Sequence, residues 1–207
     1  MKNETIASIL DYANELHHDK VMVEYKGNTH YHTRTYRRTV KYVKALASSM
    51  LRDGLSGSRI MIFCENSFNM IISDLAVMAY VGVSIPVDPE WVSDELCNMI
   101  EKLSPSAIIY SNITAPKIEA VRKKYKTLRY YSADNDIQNM VISGQNLLNE
   151  NGSVDGFFPK NPDSVCKILC TIGASNHAKA VPVSANNLFA NYESVSKHIA
   201  FIRANTL

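Results

Sequence analysis

The residues best suited to chemistry lie near the C-terminal end, where the apolar run VCKILC (165–170) leads into TIGASNHAK (171–179). A loop that follows a buried strand and is rich in small and hydroxyl side chains suits a phosphate group. Backbone N–H groups can wrap an anion when side chains are small, and glycine permits the close approach. Hydroxyls donate to phosphate oxygens, and lysine adds a mobile positive charge. Thr171, Gly173, Ser175 and Lys179 supply those parts. Neither G-x-x-x-x-G-K-[ST] nor G-x-G-x-x-G is present, so on its own residues the stretch is better described as an ordinary polar loop.

Other reactive residues are more simply accounted for. His177 lies in the same loop and fits a solvated side chain. His30 and His32 share one strand face but lack a third ligand at metal-binding spacing, and no metal site is assigned. Asp88 and Glu90 fit a turn at a strand end, and Trp91 fits a packing role. The four cysteines, Cys64, Cys97, Cys166 and Cys170, form no C-x-x-C pair. Cys166 and Cys170 would share a strand face about 13 Å apart, too far to bridge, so all four are expected as reduced thiols in or near the core.

These residues need a scaffold, and the composition provides for one. With 207 residues, 46% of them hydrophobic, the chain can bury a sizeable core. A net charge of +2 argues neither for nor against nucleic acid, and none is expected as a partner. No apolar run reaches the length of a membrane span, and the first twenty residues lack the apolar stretch of a signal peptide. The cytoplasm is the expected compartment.

Hydrophobic periodicity predicts a helix over 4–16 and a β-hairpin from VMVEY and THYHT around Gly27 and Asn28. A second helix is capped by Thr35 and ended by Gly54; Val40, Val43, Ala47 and Met50 lie on its apolar stripe, and Arg37, Arg38, Lys41 and Lys44 on a basic face. That basic face fits solvation, or else a docking surface. Strands (59–64, 83–87, 107–111, 128–131) then alternate with helices, including an almost wholly apolar one over 68–80. This predicts an α/β fold: a doubly wound, mostly parallel sheet with helices on both faces, preceded by a helix and a β-hairpin. The stretch 132–162, rich in Asn, Gly, Ser and Asp, fits a loop-rich boundary. Two units follow: 1–162, an α/β sheet subdomain, and 163–207, a strand–loop–strand–helix that would start a second, missing subdomain.

The order of these segments resembles the N-terminal part of the adenylate-forming enzymes, the acyl-CoA synthetases and amino-acid adenylation domains. RTYRRTVKYVKALASSMLRDGL is similar to that family's opening Thr-Tyr, amphipathic helix and Gly. GSRIMIFCENSFNMIISDLAVMAYVGVSIPVDP is similar to its buried strand, Asn-Ser, apolar helix and Pro-ended strand. ELCNMIEKLSPSAIIYS matches the next helix and strand. NPDSVCKILCTIGASNHAKAVPVSANNL falls where the family carries T-S-G-T-T-G-x-P-K-G-V. Thr171, Gly173, Ser175, Lys179 and Val181 match that signature, whereas Ile172, Ala174, Asn176, Ala178 and Ala180 depart from it.

The resemblance implies an AMP-forming ligase that joins a carboxylic acid to ATP, giving an acyl-adenylate and pyrophosphate, with transfer to a coenzyme A or carrier-protein thiol. ATP with Mg2+ is the implied cofactor, held at its phosphates by Thr171, Gly173, Ser175 and Lys179. The family's base, ribose and magnesium residues, its acid pocket and its late catalytic lysine would all lie past Leu207, so no catalytic residue is assigned and the isolated chain is expected to be inactive. In the family the segment from about 164 onward also packs on a second sheet. The stretch 166–207 is therefore expected to be the least supported part of the fold. The alternatives are a non-catalytic pseudoenzyme fragment kept as an interaction module, one subunit of a split ligase, and an unrelated nucleotide-binding domain. The split ligase predicts an exposed apolar patch over 165–202 and a partner chain.

Overall fold

The computed structural model describes residues 4–27, 29–154, 161–172 and 178–198. Helix α1 (Ile6–His17) opens on Thr5, whose side chain accepts from the Ser8 N–H at 3.1 Å. Strands β1 (Val21–Lys26) and β2 (Tyr31–Thr35) form the antiparallel hairpin, and Thr35 caps α2 (Tyr36–Arg52). Beyond α2, Gly54 holds the left-handed backbone (φ 77°) that turns the chain toward the sheet.

The alternation then follows: β3 (Ser58–Phe63), α3 (Phe68–Ala76), β4 (Gly82–Pro86), α4 (Ser93–Leu103), β5 (Ala107–Tyr110), α5 (Ala115–Lys124) and β6 (Arg129–Ser132). Helix α6 (Asp136–Asn151), strands β7 (Val165–Ile172) and β8 (Ala178–Ser184), and helix α7 (Ala185–His198) complete it. One six-stranded sheet has the order β6-β5-β3-β4-β7-β8. All neighbours are parallel except β8, which returns antiparallel to β7. The α/β fold with a doubly wound, mostly parallel sheet is as the sequence predicts.

Period-two alternation along β3 sends side chains to two separate cores. Ile60 and Ile62 join a core with Val43, Leu46 and Met50 of α2 and Ile72 of α3; Met61 and Phe63 join one with Leu96 and Met99 of α4 and Ile118 of α5. Both faces are therefore covered, and Trp91 is buried in the second core.

Two details depart from the sequence reading. The stretch 132–162 contains α6, a helix rather than a loop-rich boundary. Its Ile137, Met140, Val141 and Gly144 are buried at helical spacing, between Asn, Ser and Gln residues that dilute the pattern. Gly144 is there for proximity: a Cβ at that position would fall on the Ala45 carbonyl oxygen of α2. The Ser49 hydroxyl of α2 donates to the Met140 carbonyl at 2.6 Å, fixing the crossing. Second, the apolar helix expected over 68–80 is α-helical only to Ala76 and continues as a π-helical turn, Val77–Val81.

Candidate functional site

Strand β7 and its partner β8 carry the residues singled out for phosphate chemistry. Along β7, Cys166 and Ile168 are buried and Cys170 is half-buried; Ile168 and Cys170 pack with the α4/α5 core. The alternate residues, Lys167, Leu169 and Thr171, face the other side. The antiparallel register sets Leu169 opposite Val181 and Thr171 opposite Lys179. Opposed residues share a face with Cβ atoms about 5 Å apart. Thr171 and Lys179 are thus paired, both exposed, at the end of the hairpin next to the 173–177 connection. Gly173 and Ser175, with His177, lie outside the described residues.

The base of the hairpin is anchored on three sides. Ser184 and Asn187 bond reciprocally: the Asn187 N–H donates to the Ser184 hydroxyl at 3.2 Å, and the Ser184 N–H to Asn187 Oδ1 at 3.0 Å. Asn186 donates to the Asp163 carboxylate at 2.7 Å. The third anchor was not legible as a site. Lys167 of β7 reaches Asp74 of α3 at 2.6 Å, and the Ser84 hydroxyl of β4 donates to the other Asp74 oxygen, also at 2.6 Å. Side-chain exposures of 16% and 14% make this a largely buried pair, so losing one partner would strand a charge. A signal existed: each charge interrupts an otherwise apolar element, Lys167 in VCKILC and Asp74 in MIISDLAVM.

The strand order changes direction between β3 and β5, where open α/β sheets bind ligands at the carboxyl ends of strands. Here that place is occupied by mutually satisfied polar groups. The Ser111 hydroxyl donates to Glu65 at 2.5 Å, the Thr114 hydroxyl to the Phe63 carbonyl at 2.7 Å, and the Asn112 N–H to Asp134 at 2.6 Å. Each bond closes a loop on a neighbouring strand. Nearby Cys64 is buried, and burial, then Glu65, push its thiol up to about 12. Burial likewise raises Cys166 and Cys170 to about 11. All four cysteines are free, and buried thiols of this kind are inert rather than nucleophilic.

The remaining candidates have structural surroundings. His30 and His32 have ring centroids 4.3 Å apart, and His32 stacks on Tyr25 at 5.3 Å. Among the described residues, no group of three or more His, Cys, Asp or Glu comes together around a common point. The Glu90 N–H donates to the Asp88 carboxylate at 2.8 Å, the turn expected at the end of β4. No described helix is long and apolar enough to cross a membrane.

A parallel sheet with helices on both faces, extended at the β4 edge by a hairpin ending in Thr171 and Lys179, defines the comparison. The family model described as AMP-binding enzyme matches residues 10–205. The chain belongs to the AMP-binding enzyme family. Its curated relatives are far longer proteins. Equisetin synthetase of Fusarium heterosporum is 25% identical over 167 residues, 80% of this chain but 4% of that protein. Tyrocidine synthase 3 of Brevibacillus parabrevis is 22% identical over 161 residues, 77% of this chain and 2% of that protein. Among solved structures, a long-chain-fatty-acid-CoA ligase of Archaeoglobus fulgidus superposes with a TM-score of 0.77 at 19% identity, covering 94% of this chain and 39% of its own. The fatty acyl-adenylate ligase of L. pneumophila, solved with acyl adenylate and pyrophosphate, gives 0.74 at 15% identity, covering 93% of this chain and 32% of its own. This chain therefore spans a few per cent of those curated relatives and about a third of those solved structures.

Proposed function

We propose that this chain is the N-terminal portion of an AMP-forming, carboxylic-acid-activating ligase, and that the β7–β8 hairpin supplies part of its ATP phosphate site. The observation that carries the reading is the register that pairs Thr171 with Lys179 across the hairpin, both exposed, in a chain of the AMP-binding family. A hydroxyl donor and a mobile cation on one face fit the oxygens of a phosphate. The described end of the hairpin offers no carboxylate, so magnesium ligands would come from elsewhere. ATP, when bound, supplies the adenylyl group and pyrophosphate leaving group. This chain's part is to neutralise charge at the phosphates. Gly173 and Ser175 join the proposal from the sequence alone.

The unit beginning near 163 is proposed to need a further packing partner, whether downstream sequence or a separate chain. Val165, Leu169 and Val181 on the hairpin, with Tyr192 and Val195 on α7, are exposed large hydrophobics within one short region. That patch also favours a second reading, an assembly module without catalysis, in which the alanines and Asn176 of the loop reflect lost phosphate binding. The acid and the thiol acceptor (coenzyme A or a carrier protein) follow from the family resemblance, and a cytoplasmic setting is part of the proposal.

Thermal unfolding with and without Mg-ATP separates these readings. A ligand-dependent rise that Lys179→Ala reduces is expected; no rise at saturating Mg-ATP, with Lys179→Ala indistinguishable, sinks the phosphate site. Carboxylate-dependent pyrophosphate exchange by this chain alone would sink the claim that it needs a further part.

A further inference from the structure

The turn of the β1–β2 hairpin brings two imidazoles together. The ring centroids of His30 and His32 are 4.3 Å apart, with their planes tilted by 57°. Two imidazoles bound side by side to one cation, through nitrogens about 2.0–2.1 Å from it, hold their centroids roughly 4.5–5 Å apart. A small rotation of either ring reaches that spacing. The geometry points to a two-histidine chelate for a divalent transition cation that favours imidazole (Zn2+, Ni2+ or Cu2+), with water in its remaining positions.

Three features prepare the pair. First, a Cβ at Gly27 would fall 2.5 Å from His32 Nε2. The missing side chain is what lets the His32 ring lean over the turn with that nitrogen at the hairpin tip. The Gly27 N–H donates to the His30 carbonyl at 2.8 Å and closes the turn. Second, the Thr29 hydroxyl lies 2.9 Å from His30 Nδ1. With Nδ1–H donating to it, Nε2 keeps the lone pair; an outer partner of this kind fixes the tautomer of a ligating imidazole. Third, His32 stacks on Tyr25 at 5.3 Å, and Tyr25 on buried Phe68 at 5.7 Å. A braced ring loses less freedom when it takes up a ligand.

His30 is exposed and His32 half-buried, so an ion reaches both without any part of the fold opening. Imidazole suits the later divalent transition metals, whereas Mg2+ and Ca2+ take oxygen ligands. No group of three or more His, Cys, Asp or Glu forms among the described residues, so the pair chelates without a third protein ligand and binds less tightly than a four-ligand zinc centre. The site shares no residue with β7 or β8 and is independent of the proposed phosphate site. A bound ion ties the two histidines at the hairpin tip and stabilises the folded chain by mass action.

Amide and imidazole resonances of the isotope-labelled 207-residue chain, titrated with Zn2+ and separately with Mg2+, test this. Zn2+ should give saturable shifts centred on residues 27 and 29–32 and on the two imidazoles, and Mg2+ none there. His30→Gln and His32→Gln should each weaken Zn2+ by about tenfold or more, since each leaves a single imidazole. Gly27→Ala should weaken it with both histidines present, because the new Cβ displaces the His32 ring. Zn2+ should raise the unfolding midpoint of the wild type and leave that of His30→Gln unchanged. His30 is exposed, so His30→Gln carries the test should the other two variants disturb the hairpin. Shifts that do not saturate, that centre instead on His17 and His18 or on the cysteines, or an equal affinity in wild type and His30→Gln overturn the site. Mg2+ acting at the same residues overturns the class of cation.

Discussion

Strands β3 and β7 lie two positions apart in one sheet yet live in different surroundings. On β3, Ile60, Met61, Ile62 and Phe63 are all completely buried, two on each face. On β7, Ile168 is buried on one face while Leu169, on the other, is 40% exposed. The central strand is held by burial on both sides, a diffuse stabilisation that no single contact dominates. The hairpin is held by burial on one side and by the Asp74–Lys167–Ser84 anchor on the other. A region so built keeps its backbone in register while leaving a face open, which suits residues that must meet a ligand or another domain.

The sharpest way to break that contrast is Asp74→Ala. It removes one partner of the largely buried pair, at an expected cost of about 3 kcal/mol. In native-state hydrogen exchange, amides over 165–172 and 178–184 should lose protection well before those of β3. Uniform loss across the sheet would show that the hairpin does not depend on the anchor. Gly144→Ala tests the opposite region. Placing a Cβ against the Ala45 carbonyl forces α6 off α2, and a loss of about 2 kcal/mol in denaturant unfolding is expected, with β3 and α6 deprotected together.

Thiol chemistry sharpens the comparison at smaller amplitude. Each buried cysteine has a folded value above the ordinary 9: about 12 for Cys64 and about 11 for Cys166 and Cys170. Their contribution to stability is complete below the unfolded value and is lost as pH rises through the folded one. Unfolding midpoints should therefore fall from about pH 9 upward, as thiolate forms first in the unfolded chain. Alkylation by iodoacetamide at pH 8 should modify half-buried Cys170 before Cys64; the reverse order would mean that the core strand opens more readily than the hairpin. The smallest effect is expected toward the 173–177 end of the hairpin. Lys179→Ala and Val181→Thr, on exposed positions, should each change stability by no more than about 0.5 kcal/mol.

The sheet was legible because its strands are short apolar runs separated by amphipathic helices, a pattern that parallel pairing demands on both faces. Thr35 as a cap, Gly54 as a terminator and the turn at Asp88 were legible for local reasons: each acts on backbone within a few residues. Helix α6 was not, because the residues that make it bury well, Gly144 above all, look like breakers until Ala45 is known to lie against them. At the candidate site, Thr171 and Lys179 were legible as residue types in order, and the structure adds that they stand opposite each other. The anchor below them was hidden because Asp74 and Lys167 are 93 residues apart, and a lone charge in an apolar element does not name its partner.

By itself, the sequence determined what depends on neighbours along the chain: the period of each element, the caps, the parallel α/β class, and the phosphate-suited residue types following β7. Tertiary structure alone decided which face of the hairpin stays uncovered and which carboxylate takes Lys167. Those outcomes rest on contacts between distant segments. Their energies depend on distance and burial, neither of which is written in residue order.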